Sequence, residues 1–284
     1  MAFLRPARLD DALGALADGG PGGSPWVIVA GATDHYPARV GRSSVEDVLD
    51  VTALGALRGV AKVDGGWRIG ALCTWTELVE ADLSPLFDGL RAAALAVGGL
   101  QIQARATIAG NVCNASPAAD GMPNLLALDA QVELSSQAGA RIIPIGMFVM
   151  GNRRTVRRPD ELVTGLYVPD PLPGATVRST FVKLGSRAYL VISIAMVAAI
   201  VEVADGRIRR ARIAVGACSE VAQRLDGLER DLAGAPATSA ATAAAVRPEH
   251  LASLRPIDDV RGSAAYRRDA ALELVRRALA EILA

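Results

Sequence analysis

Two short segments carry residue types suited to holding a phosphate-rich ligand: Ala30-Gly31-Ala32-Thr33-Asp34 and Thr107-Ile108-Ala109-Gly110-Asn111. The second runs on into Asn114-Ala115-Ser116-Pro117-Ala118-Ala119-Asp120. Each segment borders an apolar run and lacks bulky side chains, so backbone N–H groups can approach a pyrophosphate without obstruction from branched Cβ atoms. One such turn is ordinary punctuation after a strand, whereas two in one chain suit a dinucleotide cofactor.

Other chemistries find little support. Only two histidines occur, His35 and His250, with no accompanying cysteine or carboxylate spacing for a metal centre. There is no GxSxG elbow, so a Ser-His-Asp hydrolase is disfavoured. Cys73, Cys113 and Cys218 lie far apart and form no CxxC pair, which signals neither a disulfide framework nor an iron–sulfur site and leaves buried free thiols as the plain reading. His35 adjoins the first turn, where it can touch a cofactor or a partner, although a lone histidine is more often structural. Redox chemistry must therefore be borrowed from a cofactor.

The two segments resemble the loops of the flavoprotein subunit of the molybdenum hydroxylases, the family of xanthine, carbon monoxide and aldehyde dehydrogenases. There the first loop commonly reads Ala-Gly-Gly-Thr/Ser-Asp and the second Thr-Ile-Gly-Gly-Asn, followed by Ala-Ser-Pro and an acidic residue. The resemblance continues through Phe181-Val182-Lys183-Leu184-Gly185-Ser186-Arg187 to Asp259-Val260-Arg261-Gly262-Ser263-Ala264-Ala265-Tyr266-Arg267-Arg268, so it covers essentially the whole chain. Ala32 and Ala109 replace glycines of the family pattern. Alanine is tolerable where φ is negative and costs about 1 kcal/mol or more in a left-handed backbone, so FAD binding is expected to be retained.

The resemblance implies FAD as cofactor, with Ala30, Gly31, Ala32, Thr33, Asp34, Thr107, Ile108, Ala109, Gly110 and Asn111 around its pyrophosphate. Thr33, Thr107 and Asn111 can add side-chain hydrogen bonds. Asn114 and Asp120 match positions near the phosphates and sugar-like portions, Asp120 favouring hydroxyls. Val163 matches an aliphatic residue against the isoalloxazine, and Lys183 a basic residue near the electron-rich edge of the flavin, where it would stabilise the reduced anionic form. Outside the resemblance, Asp120 reads equally as a turn or cap carboxylate, Thr33 and Asn111 as local turn contacts, Val163 as core and Lys183 as an exposed pair. No side chain need act as acid or base.

The implied fold is α+β: a two-subdomain FAD-binding domain of the PCMH, or vanillyl-alcohol oxidase-like, type over residues 1–172, divided near 52/53, followed by a smaller α+β domain over 173–284. The implied activity is that of an oxidoreductase subunit in electron transfer, with the molybdenum cofactor on a large partner subunit and [2Fe-2S] clusters on a small one. A heterotrimer or a dimer of heterotrimers follows, together with an external electron acceptor. A self-sufficient FAD-dependent oxidase and a noncatalytic subunit that has lost FAD are the alternatives.

The elements that must position these residues are legible in outline. At 284 residues a substantial core divided into two packed units is the natural expectation. Thirty basic residues balance thirty acidic ones, so no global field draws the chain to nucleic acid or an anionic membrane. The basic run Arg153, Arg154, Arg157 and Arg158 can face a partner or cofactor phosphates, but such runs are usually solvated. No charged leader precedes a long apolar core in Met1 to Pro6, and the apolar run Tyr189 to Val201 is too short to span a bilayer, which reads as a cytoplasmic protein.

Helical spacing predicts a helix over Leu9–Ala17, and short apolar runs predict strands at Trp26–Ala30 and Val48–Val51. A hairpin is expected around Asp64-Gly65-Gly66, leading to the strand Trp67–Leu72. Thr74 and Glu77 then form a capping box. A helix is expected over Leu90–Val97, with strands at Gln131–Leu134 and Leu162–Val168. The Pro-rich 169–173 stretch marks the boundary. Beyond it, Ile192–Val203 and Ile208–Val215 flank an Asp205-Gly206 hairpin, and Ala270–Leu283 is helical. The alanine-rich 233–245 stretch reads equally as helix or as disorder.

Overall fold

Short apolar runs near the N-terminus build a small parallel sheet of β1 (Phe3–Leu4), β2 (Val27–Val29) and β3 (Val48–Asp50), in the order β1-β3-β2. Helix α1 (Leu9–Asp18) buries Ala12, Leu13 and Leu16 among Trp26, Leu49 and Val51, closing a first core. The computed structural model describes residues 2–41 and 46–284.

The second body is a five-stranded antiparallel sheet. Its strands are β4 (Val60–Val63), β5 (Gly66–Gly70), β6 (Gln131–Ser136), β7 (Gly139–Pro144) and β10 (Leu162–Pro169), in the order β4-β5-β10-β6-β7. Between β5 and β6 the chain makes five helices: α2 (Trp75–Glu80), α3 (Asp88–Ala96), α4 (Leu100–Gln103), α5 (Ile108–Asn114) and α6 (Gly121–Ala127). The capping box forms as the sequence predicts: Glu77 N–H donates to Thr74 Oγ1 at 3.2 Å and Thr74 N–H to Glu77 Oε2 at 2.7 Å. After β7, the short helix α7 (Ile145–Phe148) leads into the ribbon of β8 (Val149–Gly151) and β9 (Arg154–Thr155).

The third body is a four-stranded antiparallel sheet of β11 (Thr176–Leu184), β12 (Ala195–Ala204), β13 (Arg207–Gly216) and β14 (Gln223–Arg224), joined by α8 (Asp226–Leu232), α9 (Ser239–Ala245) and α10 (Ala264–Ile282). The two faces of β12 serve two cores. Met196, Ala198 and Ile200 join the core of the second body, while Ala195, Val197, Ala199 and Val201 pack with Leu274, Val275 and Ala278 of α10. That double burial explains why β12 is an unbroken apolar run from Ala195 to Val201 rather than an alternating one.

Expected and observed elements differ in three instructive places. The expected turn at 107–111 is mostly helix: Thr107 is the N-cap of α5, and its Oγ1 accepts from Gly110 N–H at 3.0 Å. The C-terminal helix begins at Ala264, six residues before the apolar spacing becomes regular, because the Ser263 side chain caps it. The alanine-rich stretch, open between helix and disorder, contains α9, capped by Thr238 and anchored by the fully buried Thr242.

Candidate functional site

The first segment leaves β2 and immediately touches the second. A Cβ on Gly31 would stand 2.0 Å from the Arg105 carbonyl oxygen and 2.9 Å from Ala106 Cα, so only glycine lets the two backbones meet there. Ala32 then takes a left-handed backbone with φ 58°, and its carbonyl accepts from Tyr36 N–H at 3.3 Å. Among the described residues, none accepts a hydrogen bond from the N–H groups of Ala32, Thr33 or Asp34. Three consecutive unpaired amides in a turn of this kind make a concave, positively polarised surface.

Opposite them lies the start of α5. Ile108 N–H is taken by the Cys73 carbonyl at 3.0 Å and Gly110 N–H by the Thr107 hydroxyl, while Ala109 sits within the first helical turn. Ala109 thus needs no special φ, and its methyl is buried. Asn111 follows one turn on. A Cβ on Gly121 would approach Asn111 Oδ1 to 2.8 Å and the Trp75 ring to the same distance, so this glycine lets α6 close against both.

These surfaces enclose a cleft of about 770 Å³ between the first and second bodies. Of the residues expected at a site, Ala30, Gly31, Ala32, Thr33, Asp34, Thr107, Ala109, Gly110, Asn111, Asn114, Asp120 and Val163 all line it. Ile108 does not: its side chain is fully buried in the core below α5. Lys183 also stands back from the cleft surface, on β11, where its Nζ donates to Asp120 Oδ2 at 2.7 Å.

Asp120 is held on both oxygens, since the Ser193 hydroxyl donates to Oδ1 at 2.7 Å. Burial pushes its carboxyl above the usual range, and Lys183 and Ser193 offset that rise only in part. Val163 stands at a β-bulge in β10, next to Gly165, and is 5% exposed: it is core on one side and cleft wall on the other.

The cleft also holds residues that sequence reasoning did not single out. Trp75 opens α2 directly after its cap, and Val97, Ile102, Val191 and Ile192 make an apolar stretch of wall. Their signal was too diffuse to find, because single apolar residues at helix ends and in connections ordinarily pack into a core. His35 lines the cleft as well, and burial lowers its pKa, aided by the nearby Arg39. Cys73 and Cys218 are buried, their thiols pushed up to about 12 and about 11, which makes them inert. Cys113 departs from the expectation of buried thiols: it lines the cleft on α5 and is exposed.

Two buried polar atoms at the cleft find no partner in the protein, Asn111 Oδ1 and Trp75 Nε1. An acceptor and a donor left unsatisfied beside free amides suit a ligand with both phosphate oxygens and hydroxyl groups. Among the described residues, no cluster of His, Cys, Asp or Glu is suited to a metal ion, and no helix is long and apolar enough to cross a membrane.

Comparison with known proteins identifies the family. Residues 1–171 match the family described as the FAD-binding domain in molybdopterin dehydrogenase, and residues 180–282 match the CO dehydrogenase flavoprotein C-terminal domain. The chain is similar to the xanthine dehydrogenase FAD-binding subunit of Escherichia coli O157:H7, at 29% identity over 100% of this chain and 96% of that one. It is likewise similar to the 6-hydroxypseudooxynicotine dehydrogenase complex subunit alpha of Paenarthrobacter nicotinovorans, at 31% identity over 97% and 92%. Among solved structures, the reconstituted CO dehydrogenase from Oligotropha carboxidovorans superposes with a TM-score of 0.87 at 25% identity, covering 100% of this chain and 97% of that one.

Proposed function

The chain belongs to the FAD-binding subunits of the molybdopterin dehydrogenases, and on that premise we propose that it works in the cytoplasm as the electron-transfer subunit of a molybdenum hydroxylase. In this reading a large subunit carries the molybdenum cofactor and a small one the [2Fe-2S] clusters, and electrons reach an external acceptor through this chain. Relatives named as subunits of xanthine dehydrogenase and of the 6-hydroxypseudooxynicotine dehydrogenase complex support it. The observation that carries the cofactor assignment is the meeting of two small-residue segments, with unpaired amides, at one cleft beside orphaned Asn111 Oδ1 and Trp75 Nε1.

Bound FAD supplies the redox chemistry, accepting electrons singly and releasing them as a pair. The protein binds and orients. The free amides of residues 32–34 would hold the pyrophosphate, and the small Ala109 and Gly110 of the opening turn of α5 would leave room for it on the other side. Asn111 and Trp75 offer an acceptor and a donor to groups of the cofactor. Asp120 presents its carboxylate to hydroxyls, fixed in place by Lys183 and Ser193. Lys183 therefore acts through Asp120. Val163, Val97, Ile102, Val191 and Ile192 exclude water from the apolar part of the cleft.

The test is the visible spectrum of this chain purified with its neighbouring operon products, and of the chain alone after adding FAD. Flavin bands in this subunit, bleached by substrate only when the partners are present, are expected. Bleaching of the isolated subunit by an organic substrate would indicate an autonomous oxidase, and a colourless intact complex would sink the proposal. Gly31→Ala is expected to purify without flavin, because its Cβ would drive the first segment off the Arg105 carbonyl.

A further inference from the structure

Of the basic run that reads as solvated surface, Arg154 pairs with Glu220 and Arg158 with Glu161, while Arg157 is turned onto the carbonyls of Arg158 and Glu161. Arg153 is placed differently. It sits between β8 and β9 in a left-handed backbone, φ 59°, and its N–H donates at 2.9 Å to the carbonyl of Ala115, itself left-handed at φ 48°. Two non-glycine residues in this region hydrogen-bonded to each other are costly, and such geometry persists only where the surroundings over-determine it. The effect is to aim one guanidinium across the mouth of the cleft. Nη1 donates to Asp34 Oδ2 at 2.6 Å on the first segment and to Asn114 Oδ1 at the end of α5. All three residues line the cleft.

Asp34 is the one carboxylate among the residues of the first segment, next to amides that would receive a pyrophosphate. Left uncompensated, its charge would oppose the ligand. As an ion pair between two half-exposed side chains, Arg153–Asp34 adds little to the stability of the fold. We propose that Arg153 is a positioning residue for the dinucleotide: it ties the first segment to the end of α5 across the cleft mouth and cancels the charge of Asp34. The inference rests on the FAD assignment above.

The test is FAD titration of the full-length chain, followed by quenching of flavin fluorescence, with the melting temperature of the FAD-free protein as the second readout. Arg153→Ala is expected to weaken FAD binding about tenfold, the scale of one lost charge-assisted contact, and to leave the FAD-free melting temperature unchanged. Arg153→Lys, which keeps the charge and loses the fork, falls between. Asp34→Asn alone does not weaken binding, and Asp34→Asn combined with Arg153→Ala recovers most of the loss. The inference is overturned if Arg153→Ala binds FAD like the wild type, if the double variant is as weak as Arg153→Ala, or if the melting temperature falls in step with affinity. A wild-type chain that takes up no FAD would instead sink the cofactor reading beneath it.

Discussion

Ala32 and Ala109 both stand where the family pattern that the two segments resemble has glycine, and the backbone treats them oppositely. Ala32 is left-handed, at a cost of about 1 kcal/mol or more, whereas Ala109 lies in the first turn of α5, where alanine is the best residue available. Ala32→Gly is therefore expected to stabilise the protein by up to ~1 kcal/mol, part of the relief being offset by the greater freedom of glycine in the unfolded chain. Ala109→Gly should destabilise by about 1 kcal/mol, since it adds backbone entropy and removes a buried methyl. Urea denaturation of the two variants reads the opposite signs directly. The sequence located both positions, but the φ that separates them comes only from the way β2 ends and α5 begins.

At the scale of elements, the Asp259 to Arg268 motif is a clamp rather than a site. The Arg267 side chain, 3% exposed on α10, donates to the Ile194 carbonyl at the start of β12, to the Ala217 carbonyl after β13, and to Asp259 Oδ1 at 2.6 Å. Asp259 also accepts from Arg261 N–H at 2.8 Å; these bonds hold its carboxyl at about 2, below the ordinary 3.8. A lowered acid contributes stability that is complete above its unfolded value and is lost as pH falls through the folded one. The wild type should thus lose stability relative to Asp259→Asn between about pH 4 and pH 2, and the two should converge below that window. Melting temperatures against pH for both proteins check this; parallel curves would refute it. The motif was visible in the sequence, whereas its role required knowing that α10 returns to the beginning of β12.

At the scale of the molecule, the third body is fastened to the second by a buried ionic network. Fully buried Glu202 on β12 accepts from Arg210 and, at 2.7 Å, from Arg212, and its other oxygen takes Leu172 N–H in the Pro-rich stretch at 2.7 Å. Arg212 also reaches Asp129 beyond α6 at 3.0 Å, and Arg224 ties Asp129 to Glu229 of α8. Glu202→Gln leaves Arg212 buried with a lost counter-charge and is expected to cost roughly 3 kcal/mol, measurable by chemical denaturation. Glu202 and Arg210 face each other across the β12/β13 hairpin, but nothing in the spacing of these six charges foretold that Asp129, far away along the chain, joins Arg212 and Arg224 when the second body docks on the third. By itself the sequence determined the strands and helices with strong apolar periodicity and the Thr74 capping box, which depend on local sterics, and it located the two small-residue segments, whose cofactor followed from their resemblance to the flavoprotein loops of the molybdenum hydroxylases. The tertiary structure alone decided that the segments face each other across one cleft, that Ile108 and Lys183 stand behind its surface, and that Trp75 and Arg153 stand at it, because which face of a helix or which tip of a ribbon meets a cavity is set by packing between bodies and not by any neighbour along the chain.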